Sequence, residues 1–244
     1  MLAFNKGLSL AILNSNLRKY KNDKDKLFLM NEVFQKQEES GIIERIDNLN
    51  EFLNSNKNCS FLPHMPVFKL SRETTKCRMV FLSNLCQKSN NRLSVSHNQA
   101  IYSGPCLNQK LSTALINLRF DKYLLIFDLQ KAFSQISLSK SDSKKLLFLW
   151  FKDIERGNYD IIGYCSVRLP LGLRCSPTLL LLTLYKILIL DTDDGLEILK
   201  ETKKRLYSLI YMDNGSITSN STSQLEFFYF SLRFLIRMIL IYSN

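Results

Sequence analysis

Two aspartates close apolar runs: Asp128 ends YLLIFD (123–128) and Asp213 follows LYSLIYM (206–212). A carboxylate at the tip of a buried strand is held rigidly while its oxygens face solvent at the sheet edge. Two such tips on adjacent strands would hold a pair of Mg²⁺ ions about 3.5–4 Å apart, as in-line phosphoryl transfer requires. Mg²⁺ often takes only one or two protein carboxylates, with substrate phosphates completing its octahedron, so two aspartates are a sufficient protein share. Taken singly, each aspartate reads more readily as a turn residue or a helix cap. The pair gains some weight from a chain in which 33 Lys and Arg outnumber 22 Asp and Glu, for a net charge of +11. That sign favours polyanionic partners, nucleic acid before an acidic membrane surface.

Other chemistries find little support. Six cysteines at 59, 77, 86, 106, 165 and 175 form no CxxC, and the two histidines are His64 and His97, so a zinc finger is not expected. Reduced thiols in an intracellular protein fit this usage. DTDDGLEIL (191–199) reads as a helix cap, with Asp194 and Glu197 in capping-box spacing, and its glycine falls too early for a calcium loop. The amino terminus lacks a secretory signal pattern. The apolar runs 177–190 and 225–242 carry Lys186, and Arg233 with Arg237, and read as core helices rather than membrane spans.

The elements that must position the two aspartates follow from periodicity. Residues 1–24 read as a polar, loosely packed arm, and DKLFLMNEVFQKQEESG (25–41) as a helix with Leu27, Met30, Val33 and Phe34 on one face, ending at Gly41. Two prolines make FLPHMPVFKL (61–70) extended. TKCRMVFL (75–82) alternates as a strand, Cys77, Met79 and Phe81 opposite Lys76, Arg78 and Val80. A helix is expected over 107–120, a buried strand over 122–128, and a strand pair from LLFLWF (146–151) and DIIGYCSVRL (160–169). Ser176-Pro177 opens the next helix as N-cap and first helical residue. Asn214-Gly215 is a strong type I′ signal and is expected to form the turn that presents Asp213. Strands and helices without strict alternation give an α+β fold.

Seven strings occur in one order: FLPHMPVFK (61–69), TTKCRMVF (74–81), IYSGPCLN (101–108), LLIFDLQKAFSQI (124–136), LLFLW (146–150), RLPLGLRCSPTLL (168–180) and YMDN (211–214). Together they resemble the reverse transcriptase of retroelements, most closely BEL/Pao-type retrotransposons, over roughly residues 25–220. The resemblance implies the fingers and palm of a right-hand polymerase, an antiparallel palm sheet packed on helices. It divides the chain into an arm at 1–24, fingers at 25–120 and palm at 121–244. It implies RNA-directed DNA synthesis with two Mg²⁺ ions, or Mn²⁺ in their place. The partners are an RNA or DNA template–primer, deoxynucleoside triphosphates and other Pol segments supplying thumb and RNase H, in cytoplasm or retrotransposon particle.

By the same resemblance Asp128, the Leu129 carbonyl and Asp213 hold metal. Lys76 and Arg78 grip the triphosphate, where a planar, always charged guanidinium suits phosphate oxygens. Phe133 lies under the incoming sugar and excludes a 2′-hydroxyl, and Pro170, Leu171 and Gly172 line the nucleotide pocket. Three departures stand out: Leu82, Ser83 and Asn84 follow Phe81 where the family has Asp-Ala-Ser, Asn214 replaces the second aspartate of the Tyr-x-Asp-Asp box, and a thumb is expected to be missing after it. The amide keeps an acceptor oxygen but removes a negative charge from a site that must offset two divalent cations. The reading is therefore a reverse transcriptase fingers–palm domain with a weakened metal site; the alternative is a non-catalytic remnant that still binds nucleic acid.

Overall fold

The computed structural model describes residues 5–56, 58–71, 75–86, 88–89, 92–93, 95–189 and 210–231. In chain order the helices are α1 (Lys6–Tyr20), α2 (Lys24–Glu39), α3 (Leu49–Ser55), α4 (His97–Ala100), α5 (Leu111–Asn117), α6 (Lys140–Ser143), α7 (Ser176–Ile189) and α8 (222–231). The first strands are β1 (Ile43–Ile46), β2 (Ser60–Phe61), β3 (His64–Phe68), β4 (Cys77–Phe81), β5 (Lys88–Ser89) and β6 (Arg92–Leu93). They are followed by β7 (Tyr123–Asp128), β8 (Leu146–Asp153), β9 (Asn158–Ser166), β10 (Ile210–Tyr211) and β11 (Asn214–Ser219). Helices and sheets are mixed without regular alternation, the α+β class read from the sequence.

Two compact units interleave along the chain: Met1–Ser103 with Ser137–Ser176, and Gly104–Ile136 with Pro177–Asn244. The sequence reading divides the chain into 1–24, 25–120 and 121–244; here β8 and β9 rejoin the first unit, where they pair with β1 and β2.

In the first unit the sheet runs β1-β9-β8-β2, antiparallel except for the parallel β2–β8 pair. Every side chain from Leu146 to Phe151 is buried, so this strand reads as a continuous apolar run. Phe34 of α2 stacks on Phe148 and meets Trp150 at a tilt, at centroid distances of 5.2 and 4.7 Å. The α2 helix starts where Asp23 accepts the Lys26 N–H at 3.1 Å and turns its Leu27, Met30 and Phe34 inward. The expected loose arm is instead helix α1. Leu10, Leu13 and Leu17 form a stripe packed into this core, with Leu13 1% exposed, and Asn5 Oδ1 accepts the Phe61 N–H at 2.9 Å. The abundance of Asn and Lys in residues 1–24 hides that three-four spacing.

The second unit holds the sheet β10-β11-β7, all antiparallel, with α5, α7 and α8. Its core joins Ala132, Leu180, Leu181, Leu184, Ile210, Ile217 and Phe228. The expected helix over 107–120 is confined to Leu111–Asn117. Residues 104–110 are irregular, and two of their carbonyls are taken up by side chains of α7: Thr178 Oγ1 donates to Pro105 O at 3.2 Å and Tyr185 OH to Leu107 O at 3.1 Å. The apolar run packs as a core helix over Ser176–Ile189, and among the described residues no helix is long and apolar enough to cross a membrane. The cap read over 191–199, and the part of 225–242 beyond 231, lie outside the described residues.

Candidate active site

Strand β7 is expected to be buried throughout, yet it alternates. Leu124 and Ile126 are 44% and 66% exposed. Leu125 and Phe127 face the inner side, against Ile217 and Gly215, and that leaves Leu124, Ile126 and Asp128 on the outer side. Asp128 thus ends the strand on an open face.

Directly across the ladder from Asp128 stands Asn214, the first residue of β11. Tyr211 and Asn214 pair with each other, so the connection is the two-residue turn Met212–Asp213, and the Asn214-Gly215 turn read from the sequence does not form. Met212 adopts φ 59°, a left-handed conformation that a glycine would take without strain. Gly215 has another cause: a Cβ there would overlap the Phe127 ring on the neighbouring strand. The glycine that looked like turn chemistry is a packing requirement.

This two-residue shift changes the site. The Asp213 carbonyl accepts the Leu129 N–H at 2.9 Å, which ties the turn to the residue after Asp128. Asn214 Nδ2 donates to Asp213 Oδ1 at 3.3 Å. A carboxylate at 214 would stand across from Asp128 and beside Asp213, and like charges there repel; the amide replaces that repulsion with a hydrogen bond. Asp128, Leu129, Asp213 and Asn214 are brought together at one end of the β7–β11 pair. Their oxygens are the hard donors that Mg²⁺ selects. Among the described residues no group of three or more His, Cys, Asp or Glu lies close enough to hold a metal ion.

Phe133 lies on the 3-10 turn Ala132–Gln135, which follows Lys131 at φ 52°. Its ring is half-buried at the rim of the second unit's core.

The remaining predicted residues belong to the first unit. Arg78 is exposed on β4, opposite Val67 of β3, and Lys76 is exposed just before the strand, while Cys77 turns inward. Leu171 is 62% exposed. Gly172 has φ 101°, and a Cβ there would lie 3.2 Å from the Phe81 carbonyl oxygen, so glycine is required. Asn98, which sequence reasoning missed, clips this loop: its Nδ2 donates to Gly172 O at 3.1 Å and to Asn84 Oδ1 at 2.8 Å, and its Oδ1 accepts the Arg174 N–H at 2.8 Å. Asn84 belongs to the Leu82–Asn84 departure, which the first unit accommodates with that bond. Also missed were the strain at Met212 and its neighbour Asn108, whose Nδ2 lies 3.1 Å from Met212 Sδ. The IYSGPCLN string was the available signal for Asn108; nothing in it marks a contact 104 residues away.

A model of the family described as reverse transcriptase (RNA-dependent DNA polymerase) matches residues 67–236, which include β4, the 170–172 loop and the paired ends of β7 and β11. No curated protein matches the chain. Domains of this family act on a nucleic-acid template–primer and nucleotides and generally use divalent metal ions. With the match spanning well over half of its 244 residues, the chain belongs to the reverse transcriptase family.

Proposed function

We propose that the chain is the fingers–palm part of a retroelement reverse transcriptase of BEL/Pao type, with a two-metal site weakened by Asn214. In this reading the first unit corresponds to the fingers and the second to the palm. The observation that carries it is the register Asn214 opposite Asp128 together with the Leu129–Asp213 bond, which gathers two aspartates at one strand end. Asp128, Asp213 and the Leu129 carbonyl would hold Mg²⁺. Bound there, Mg²⁺ neutralises charge on the transferring phosphoryl group and lowers the pKa of the attacking primer hydroxyl. The chain's own residues do the rest. Lys76 and Arg78 bind triphosphate oxygens, Arg78 in a planar, bidentate manner. Phe133 closes the space that a ribose 2′-hydroxyl would need, favouring deoxynucleotides. Leu171 and Gly172 supply an apolar contact and a side-chain-free approach to the nucleotide. Template and primer are held through phosphate contacts, and other Pol segments are expected as partners.

The substitution at 214 favours a second reading, a nucleic-acid-binding remnant without polymerisation. An extension assay with Mg²⁺, primer–template and deoxynucleotides separates the two. The chain is expected to extend slowly, with Asp128→Asn lowering the residual rate at least about 10²-fold and Asn214→Asp tightening Mg²⁺ binding. Extension that is unaffected by Asp128→Asn would refute the site. No extension by either the natural chain or Asn214→Asp would favour the remnant.

A further inference from the structure

Beyond the residues given roles above, we infer that Asn108 is the positioning residue of the Met212–Asp213 turn and sets, through Met212, where Asp213 presents its carboxylate. The catalytic consequence rests on the polymerase reading; the structural assignment does not. A non-glycine residue with positive φ costs about 1–3 kcal/mol and persists only where its surroundings hold it. Met212 is such a residue, at φ 59°. Its backbone neighbours are secured by the Tyr211–Asn214 pair and the Leu129–Asp213 bond, and its side chain meets Asn108 Nδ2 at 3.1 Å.

Asn108 does not move freely with that turn. It is carried by the irregular segment 104–108, which is fastened to α7 by Thr178 at Pro105 and by Tyr185 at Leu107, with Leu107 packed against the second core. Gly104, at φ 76°, lies so close to Thr178 that a Cβ would meet its Cγ2 at 2.5 Å. The segment therefore references the turn to the helix layer of the second unit.

The energetics of Asn108 run against a merely structural role. A thioether is a weak acceptor, so the bond to Met212 adds little stability. Asn108 Oδ1 is buried and has no hydrogen-bond partner among the described residues. An orphaned buried acceptor costs about 1–3 kcal/mol, and an apolar side chain of the same shape would avoid it. A polar residue that lowers stability while touching a strained turn beside an aspartate belongs to the class of local conflicts found at functional sites.

Asn108→Leu, Met212→Leu and the double variant of the 244-residue chain test this. The readouts are ¹³C-methyl spectra of the methionines, thermal unfolding, Mn²⁺ binding by electron paramagnetic resonance, and extension kinetics. Asn108→Leu is expected to leave the unfolding midpoint unchanged or higher and to shift and broaden the Met212 methyl signal. It should weaken Mn²⁺ binding by up to about tenfold, the lower end for loss of a direct partner of a metal ligand, because Asn108 acts on Asp213 only through Met212. Extension kcat should fall while nucleotide KM holds, and in the Met212→Leu background the effects of Asn108→Leu should vanish. Additive effects in the double variant, or a lower midpoint with an unmoved methyl signal, would overturn the assignment. A moved methyl signal in a chain that binds no Mn²⁺ would overturn the metal reading instead and leave the turn assignment standing.

Discussion

The two units spend their apolar residues differently. The first seals an aromatic interior: Phe34 stacks on Phe148 and meets Trp150 at a tilt, His64 lies at 5.8 Å from Trp150, and β8 buries six consecutive side chains. Among the described residues the second has a smaller core, beneath a sheet whose outer side leaves Leu124 and Ile126 exposed, in line with Asp128. Burial of apolar area is the dominant stabilising contribution, so the first unit is expected to carry most of the stability while the second accepts a thinner core to keep one face accessible. The sealed core and the exposed aspartate-bearing face thereby fall in different parts of one chain.

The sharpest way to break this contrast is to open the aromatic interior. Trp150→Ala is expected to cost about 3–5 kcal/mol, the range for truncating a buried tryptophan. It would also strip Asn31 Oδ1 of the Nε1–H that it accepts at 3.0 Å. Denaturant unfolding followed by circular dichroism checks this; a loss below about 1 kcal/mol would remove the distinction between the units.

Acid should act on the same unit. Burial pushes His64 and His97 down to about 4 from an ordinary 6.5, against a hydrogen bond to the Leu149 carbonyl that raises His64. A folded-state pKa below the unfolded value means that protons bind the unfolded chain better. The contribution of the neutral imidazoles is therefore whole above pH 6.5, erodes below it and is gone by about pH 4. Both histidines of the chain and its one tryptophan lie in the first unit, so Trp150 fluorescence reads that unit alone. A midpoint in denaturant that does not fall between pH 6.5 and 4 would contradict the burial of both rings.

Smaller effects belong to the second unit. Gly215→Ala forces a methyl group into the Phe127 ring. It should cost about 1–3 kcal/mol, the usual range for overpacking, with partial rescue by Phe127→Leu. If the glycine served a turn instead, Phe127→Leu would give no rescue. At the bottom of the scale, Ile126→Thr on the open face should change stability by no more than about 0.5 kcal/mol, measured by thermal unfolding; a larger loss would mean that this face is covered.

Most of the first unit was legible in the sequence. The α2 stripe, the two prolines before β4 and the uninterrupted LLFLWF strand each state their burial in their own periodicity. What the sequence hid arises from long-range pairing. Strand β7 looks buried because YLLIF is uniformly apolar, and only its partner β11 decides which side faces out. Asn-Gly is a genuine local turn signal, but Tyr211 pairs with Asn214, so the turn lies two residues earlier, and Gly215 is accounted for by the Phe127 ring that a Cβ would overlap. The two aspartates were visible because the strand ends are local features. The hydrogen bond from the Asn214 side-chain amide to Asp213 was not, since the expected register put Asn214 in the turn.

The interleaving of the units also sets an order of events during synthesis. Asp128 is paired with Asn214, 86 residues later, and the first unit's β8 and β9 are made in the interval. At about 5–20 residues per second, Asp128 waits roughly 4–17 s for its partner strand. The unit with the sealed core can be complete once Ser176 has emerged, whereas the aspartate pair closes a long loop and is costly to nucleate. During that wait the outer residues of β7 lie on an unpaired strand edge, which is the segment most exposed to misassembly with another chain. A nascent-chain chaperone, or the early-formed first unit itself, has its greatest influence on yield in this window, before the reactive end of the molecule exists.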